Sequence, residues 1–213
     1  MGTSIKIITL TILASFTLEA QVEIPNGDFN HFETIQIEKY NYDLPVGWKE
    51  HQKNEASRQG DGSGFVYKYD LPDANGNALA LHRTYSAETN TIITSFSIPE
   101  NKENLRLVGR YKFSGSDIDT AKDTLRIAVF SSKKSIDDIP NTLPKNATVL
   151  NIAEPEAQFE WFHLDINEIQ KNNYVTIVIQ LISGSDDSYY WGQSNAVLDD
   201  LKFATIQKSA QVN

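Results

Sequence analysis

Apolar side chains recur at every second position along most of this chain, and hardly any segment repeats them at the 3.6-residue spacing of a helix. In the segment 105–113 the odd positions are apolar or glycine, and three of the four even positions are basic. Such alternation is typical of strands with one face in a core and the other in water. About nine or ten strands of this kind, separated by turn residues, predict an all-β antiparallel β-sandwich. Only the segment 166–171 is compatible with a helical turn.

Residues 1–20 have the pattern of a secretory signal peptide. An apolar run extends from Ile5 to Phe16, with Lys6 near its amino end, and short polar and small residues lead to Ala20. We predict cleavage after Ala20; the alternative is a membrane anchor, but the run is shorter than the ~20 apolar residues that a spanning helix needs. The remainder is predicted to be one β-sandwich domain over 21–206 and a C-terminal tail over 207–213. We expect no membrane span in the mature chain, and a periplasmic, cell-surface or secreted location.

The chain contains no cysteine and has a formal net charge of −9. The lack of cysteine excludes a disulfide framework and a lipid anchor attached through cysteine. The acidic balance argues against a nucleic-acid partner, because binding phosphates requires clustered Lys and Arg. From net charge alone we expect a neutral ligand or a cation.

Short motifs at the two ends of the predicted domain resemble those of a known superfamily. They are Asn26-Gly27-Asp28-Phe29, Pro45-Val46-Gly47-Trp48 and Ala196-Val197-Leu198-Asp199-Asp200-Leu201-Lys202-Phe203. They resemble the opening and closing motifs of galactose-binding-like jelly-roll domains, which include carbohydrate-binding modules and carbohydrate-metabolism domains of secreted bacterial proteins. The resemblance covers nearly all of the chain after residue 21. It implies a jelly-roll sandwich and a core position for Trp48, and it suggests a glycan ligand.

The adjacent carboxylates Asp199 and Asp200 lie in an apolar strand, where an unpaired charge costs several kcal/mol, so they require a cation, hydrogen-bond donors or an exit to solvent. The resemblance implies a structural Ca²⁺ between the first motif and the closing strand. The matching positions are Asn26, Gly27, Asp28 and Asn30 with Asp199 or Asp200. Asn30 replaces the usual Glu of the family and removes one charge from the ligand set. The alternative is that Asp28 caps a turn and that Asp200 accepts backbone N–H bonds.

Exposed aromatic rings are the candidates for ligand recognition, because a sugar offers an apolar C–H face and a rim of hydroxyl groups. The polar loop 183–193 contains three adjacent rings with acidic and amide neighbours. The predicted carbohydrate-binding residues of this loop are Tyr189, Tyr190, Trp191, Asp187 and Gln193. Trp161 is the second candidate. The alternative for the loop is a hydrophobic lid on the sandwich edge.

No catalytic motif is apparent: the four histidines are scattered, and no nucleophile elbow, phosphate-binding loop or dinucleotide fingerprint occurs. The sequence therefore predicts a secreted, non-catalytic carbohydrate-binding domain. Two alternatives stay open. One is an exported structural or adhesive domain that binds a cell-surface protein, and the other is a glycan-active enzyme. A groove with rings and amides would favour a glycan ligand, whereas a flat apolar patch would favour a protein partner.

We expect the exported protein to begin at Gln21, because the apolar run ends just before the small residue Ala20. Intact-mass analysis of the exported protein measures this directly. A mass that still includes residues 1–20 would contradict the predicted cleavage and support the membrane anchor.

Overall fold

The computed structural model describes residues 22–37, 40–51, 66–72, 76–84, 89–98, 102–115, 123–136, 142–169, 173–184 and 193–206. Within these ranges the chain forms twelve β-strands and no helix. The strands are β1 (Phe32–Ile37), β2 (Tyr40–Pro45), β3 (Lys49–His51), β4 (Val66–Asp70), β5 (Asn77–Thr84), β6 (Asn90–Ser97), β7 (Lys102–Gly115), β8 (Thr124–Ser132), β9 (Thr148–Ile152), β10 (Glu156–Ile169), β11 (Tyr174–Ile182) and β12 (Gln193–Thr205). No helix that could span a membrane is found in this part of the chain.

Ten of the strands form two five-stranded antiparallel sheets. Sheet I has the order β10-β7-β12-β5-β4, and sheet II has the order β3-β6-β11-β8-β9. The strands β1 and β2 form a separate hairpin. The predicted all-β antiparallel sandwich is therefore confirmed.

The structure differs from the strand prediction at two places. The hairpin β1–β2 adds two strands. The described side chains of β1, from Phe32 to Gln36, are exposed or half-buried, so apolar alternation marks this strand weakly. The segment 166–169 ends strand β10 and does not form a helical turn. Its backbone is held in the sheet, because Ile166 pairs with Leu105 and Ile169 pairs with Lys102 of β7.

The inner faces of the two sheets form one hydrophobic core, as expected when each strand buries alternate side chains. Sheet I contributes Leu79, Leu81, Leu107, Phe113, Leu198 and Phe203, and sheet II contributes Ile92, Leu125, Ile127, Ile177 and Ile179. Trp48 belongs to this core, as predicted: its ring centroid lies 5.3 Å from that of Phe29, and its Nε1 donates to the Pro25 carbonyl at 2.9 Å. The first two motifs thus pack on each other at one end of the sandwich.

The outer face of sheet II is closed by the connection between β8 and β9. Ile136, Leu143 and Ala147 of this connection pack on a second apolar cluster, which contains Phe130 and Val178. The connection therefore covers the part of this face around Phe130 and Val178, whereas Val149 of β9 stays exposed. The outer face of sheet I is the other broad surface of the sandwich.

A buried ion pair joins three separate connections. Arg83 at the end of β5 and Asp123 just before β8 are both fully buried, and Arg83 Nε donates to Asp123 Oδ2 at 2.9 Å. The second oxygen of Asp123 accepts from the backbone N–H of Gly184, just after β11, at 3.0 Å. Because both carboxylate oxygens have donors, the buried charge of Asp123 is compensated.

We expect Asp123→Ala to lower the free energy of unfolding by about 3–5 kcal/mol, because it removes the carboxylate that offsets the buried charge of Arg83. Denaturant melts measure the change. The matched control is Asp165→Ala, which removes the carboxylate of the exposed pair with Arg106 and should leave the midpoint nearly unchanged. Equal midpoints for the two variants would show that the buried pair does not stabilise the fold.

Candidate functional site

The outer face of sheet I consists of the side chains that alternate with the core residues and point away from sheet II. They are Tyr67 and Tyr69 of β4; Ala78, Ala80 and His82 of β5; Asn195, Val197, Asp199 and Lys202 of β12; Arg106, Val108, Arg110 and Lys112 of β7; and Trp161, His163 and Asp165 of β10. The strand register places aromatic residues of this face on the two edge strands, β4 and β10. The small residues Ala78 and Ala80 lie on β5, which is next to β4.

The middle of this face is apolar. Ala78 and Ala80 are fully buried although they point away from the main core, and with Val197 they form a cluster on which Tyr67, Tyr69 and Phe159 pack. The ladder between β10 and β7 shifts register between positions 156 and 160, and Phe159 lies within that irregularity. The two tyrosines and Phe159 are only partly buried, so each ring also has accessible surface.

Arg110 lies beside this apolar cluster and contacts both carboxylates of the closing strand. Its Nη2 donates to Asp199 Oδ2 at 2.6 Å, its Nε lies 3.0 Å from Asp200 Oδ2, and its guanidinium carbon lies 4.9 Å from the Phe159 ring centroid. The Nε contact is a charge contact whose geometry is not that of a hydrogen bond. A β-bulge between Asp199 and Lys202, with Asp200 at a φ of 55°, brings both carboxylates to the same arginine.

Asp199 is almost fully buried, so its charge is costly despite these contacts. Burial raises the pKa of its carboxyl above the usual value, and this effect exceeds the lowering by the Arg110 hydrogen bond and by the backbone N–H of Asp200. The contact with Arg110 is therefore needed to keep this carboxylate in the fold.

Trp161 is the most exposed of the large apolar side chains in the described ranges, with 62% of its surface accessible. It lies on edge strand β10 and pairs in register with Arg110. The Nζ of Lys202 lies 5.9 Å from the centroid of its indole ring, within the range of a cation–π contact. A free aromatic surface bordered by charged and polar groups is suited to stacking against a sugar ring.

Lys202 also lines a groove of about 670 Å³ at the end of the sandwich. The groove lies between the segment 22–31, the turn at Val46 and Gly47, and the bulge of β12. Its polar lining comes from Glu23, Asn26, Asp28, His31 and Lys202. Lys202 therefore connects the Trp161 surface to a concave site of the size that small ligands occupy.

Most of the predicted recognition loop lies outside the described residues. This applies to Tyr189, Tyr190, Trp191 and Asp187, whose role stays a prediction. Gln193 is described: it begins β12, pairs with Thr84 of β5 and is half-buried.

The two end motifs meet, as the predicted calcium site requires. The backbone N–H of Leu201 donates to the carbonyl of Gly27 at 2.8 Å. The approach is so close that a Cβ at Gly27 would lie 2.3 Å from the Leu201 carbonyl oxygen, so only glycine fits there.

The side chains of the five predicted metal ligands interact mainly with protein groups. Asn26 forms hydrogen bonds in both directions with the backbone of His31, and Asn30 donates to Asp28 and accepts from the backbone of Asn77. Asp199 and Asp200 contact the guanidinium of Arg110. No cluster of three acidic or histidine side chains that could hold a metal occurs among the residues described. Asp199 and Asp200 are thus bridged by an arginine, and calcium binding stays a prediction.

Sequence reasoning did not identify Arg110, Tyr67, Tyr69 and Phe159 as members of a surface. The signal for the tyrosines was present, since Tyr67 and Tyr69 are two residues apart in a strand and so share one face. Arg110 carried no comparable signal, because its partner Asp199 is 89 residues away.

Solved structures share this architecture. A candidate glycoside hydrolase from Bacteroides thetaiotaomicron is 12% identical, with a TM-score of 0.54 over 85% of this chain and 71% of that protein. A candidate sugar-binding protein from the same organism is 9% identical, with a TM-score of 0.52 over 86% of this chain and 99% of that protein. No model of a known protein family matches the sequence, and no curated protein matches it. At these identities the likeness concerns the fold, and it confirms the jelly-roll sandwich that the end motifs predict.

We expect Arg110→Met to lower the free energy of unfolding at neutral pH by about 1.5–3 kcal/mol, because a buried carboxylate loses its charged donor. Without the arginine the pKa of Asp199 should rise further. A carboxyl with a raised folded-state pKa favours the fold when protonated, and this contribution is lost as the pH rises through that pKa. The difference in free energy of unfolding between the variant and the wild type should therefore become smaller as the pH falls. Denaturant melts at several pH values measure this difference.

The same melts, with calcium and with a chelator, test the metal prediction. Calcium bound only by the folded state raises stability by RT ln(1 + [L]/Kd). A shift that disappears in Asp199→Ala or Asp200→Ala would support a calcium site at the end motifs. Coincident curves for the wild type would show that these carboxylates depend on Arg110 and not on calcium.

Proposed function

We propose that this chain is a secreted, non-catalytic carbohydrate-binding domain that holds a glycan on the outer face of sheet I. The observation that carries the proposal is the exposed indole of Trp161 on that face, adjacent to the groove lined by Lys202. The sequence adds the pattern of a signal peptide. A solved structure of the same fold bears the name of a sugar-binding protein, which agrees with the proposal.

Groups that can form hydrogen bonds with sugar hydroxyls lie near Trp161. His163 follows it two positions along β10 and shares its face, and the exposed part of the Asp200 carboxylate lies across the sheet. The imidazole can donate a hydrogen bond to, or accept one from, a hydroxyl group at the rim of a stacked sugar, and the carboxylate can accept one. Binding of this kind requires no proton transfer or nucleophile.

The acidic side chains of this face are used as ion-pair partners. Asp165 contacts Arg106, and Asp199 contacts Arg110. The Arg106 hydrogen bond lowers the pKa of the Asp165 carboxyl, so this group is ionised at neutral pH and is not suited to act as a general acid. These pairings favour binding over hydrolysis.

We expect Trp161→Ala to weaken glycan binding about tenfold or more, because loss of a stacked ring removes its contact area and its favourable C–H contacts. The melting temperature should stay close to that of the wild type, since most of the ring is already in water. A glycan array selects the ligand, and titration calorimetry measures the affinities.

The matched control is Val149→Ala, which removes an exposed apolar side chain from β9 of sheet II and should leave binding unchanged. Trp191→Ala tests the predicted loop in the same assay. If only Trp191→Ala weakened binding, recognition would depend on the loop 185–192 instead of the outer face of sheet I. If the wild type bound no glycan, the proposed function would be wrong.

A further inference from the structure

We propose that the glycan held at Trp161 is acidic, with a carboxylate on the stacked or the adjacent sugar, and that Lys202 is the residue that selects it. This inference rests on the proposed function, because it names the ligand class of the same site. It differs from what the net charge of −9 suggests by itself, namely a neutral ligand or a cation.

The charges on the outer face of sheet I are of two kinds. Arg106 and Arg110 are each held by carboxylates of the same face, so their charge is already compensated. Lys112 and Lys202 also belong to this face, and no carboxylate in the described ranges pairs with either of them. The face therefore carries two lysines without a carboxylate partner in a chain that is acidic as a whole, while the single charge of Arg110 offsets only one of its two carboxylates.

Lys202 is the better placed of the two lysines. Its Nζ lies 5.9 Å from the centroid of the Trp161 ring, yet 62% of that residue is accessible, so the ring retains free surface for a sugar. The ammonium group lies over the indole ring, so a pyranose stacked on the remaining free surface places its ring substituents beside Lys202. A carboxylate on the sugar would meet Lys202 there, whereas a hydroxymethyl group would offer it only a neutral acceptor.

The position of Lys202 also covers the neighbouring sugar. Lys202 lines the groove of about 670 Å³ together with the acidic residues Glu23 and Asp28, so a carboxylate on a chain that continues from Trp161 into the groove is favoured only beside Lys202. Asp200 is the nearest acidic group on the strand, and it contacts Arg110 at 3.0 Å. That contact leaves Lys202 available to a ligand.

The overall negative charge does not oppose this assignment at physiological salt. Exposed charges more than about 8 Å apart are largely screened at that ionic strength, so the ligand responds mainly to the groups it touches. An exposed pair between Lys202 and a carboxylate is modest in strength, and it corresponds to a preference of about two- to fivefold over a neutral sugar.

The test compares matched glycan pairs: uronic-acid oligosaccharides of several linkages, each with its carboxyl-reduced, neutral counterpart. Affinities are measured at low salt and at about 0.5 M salt, where the screening length falls to a few Å. For the linkage that binds, the wild type should prefer the acidic member about two- to fivefold at low salt and lose most of that preference at high salt. Lys202→Gln should remove the preference, and Lys202→Glu should reverse it.

Two further variants separate this inference from the function on which it rests. Lys145→Gln changes an exposed lysine in the connection that covers sheet II and should keep the wild-type preference. Trp161→Ala should weaken both members of a pair equally. Equal binding of both members by the wild type, with no effect of Lys202→Gln, would overturn the acidic ligand and keep the glycan-binding function. A wild type that bound neither member of any pair would overturn both proposals.

Discussion

The contact between Gly27 and Leu201 is the constraint on which the rest of this end of the molecule depends. A backbone hydrogen bond of 2.8 Å joins the first motif to the closing strand, and the approach is possible only because residue 27 has no side chain. On one side of this contact, Phe29 and Trp48 enter the core. On the other side, the bulge of β12 turns Asp199 and Asp200 towards Arg110 and presents Lys202 at the surface.

The two outer faces of the sandwich have different consequences for function. Sheet II is covered by its own connection, which packs Ile136 and Leu143 on the strands. Sheet I keeps an exposed indole and several half-buried rings on its outer face. A protein that had to bury its surface against a large partner would be expected to present one contiguous apolar patch. Here charged pairs interrupt the apolar surface, which suits a polar ligand with apolar faces, such as a sugar.

Ion pairs in this molecule have two separate roles. The pair of Arg83 and Asp123 is fully buried and ties together the ends of three strands, so its loss affects folding. The pairs on the outer face of sheet I are partly exposed, and they decide which charges a ligand meets. Because Arg110 contacts both acidic residues of the closing strand, Lys202 is left next to Trp161 without a carboxylate partner in the described ranges.

The alternation in the sequence by itself determined the fold class, and the resemblance of the end motifs to a known superfamily implied that the two ends meet and that Trp48 lies in the core. It also singled out Trp161, whose neighbours in β10 alternate between core and solvent. Only the tertiary structure decided that Arg110 faces Asp199, that Phe159 packs on the apolar cluster of the outer face, and that Lys202 lies beside the indole. These contacts are set by strand order and by two irregularities of the ladder in β10 and β12. A register shift of one residue turns a side chain to the opposite face, and strand order and register across long sequence separations are not encoded in any local pattern.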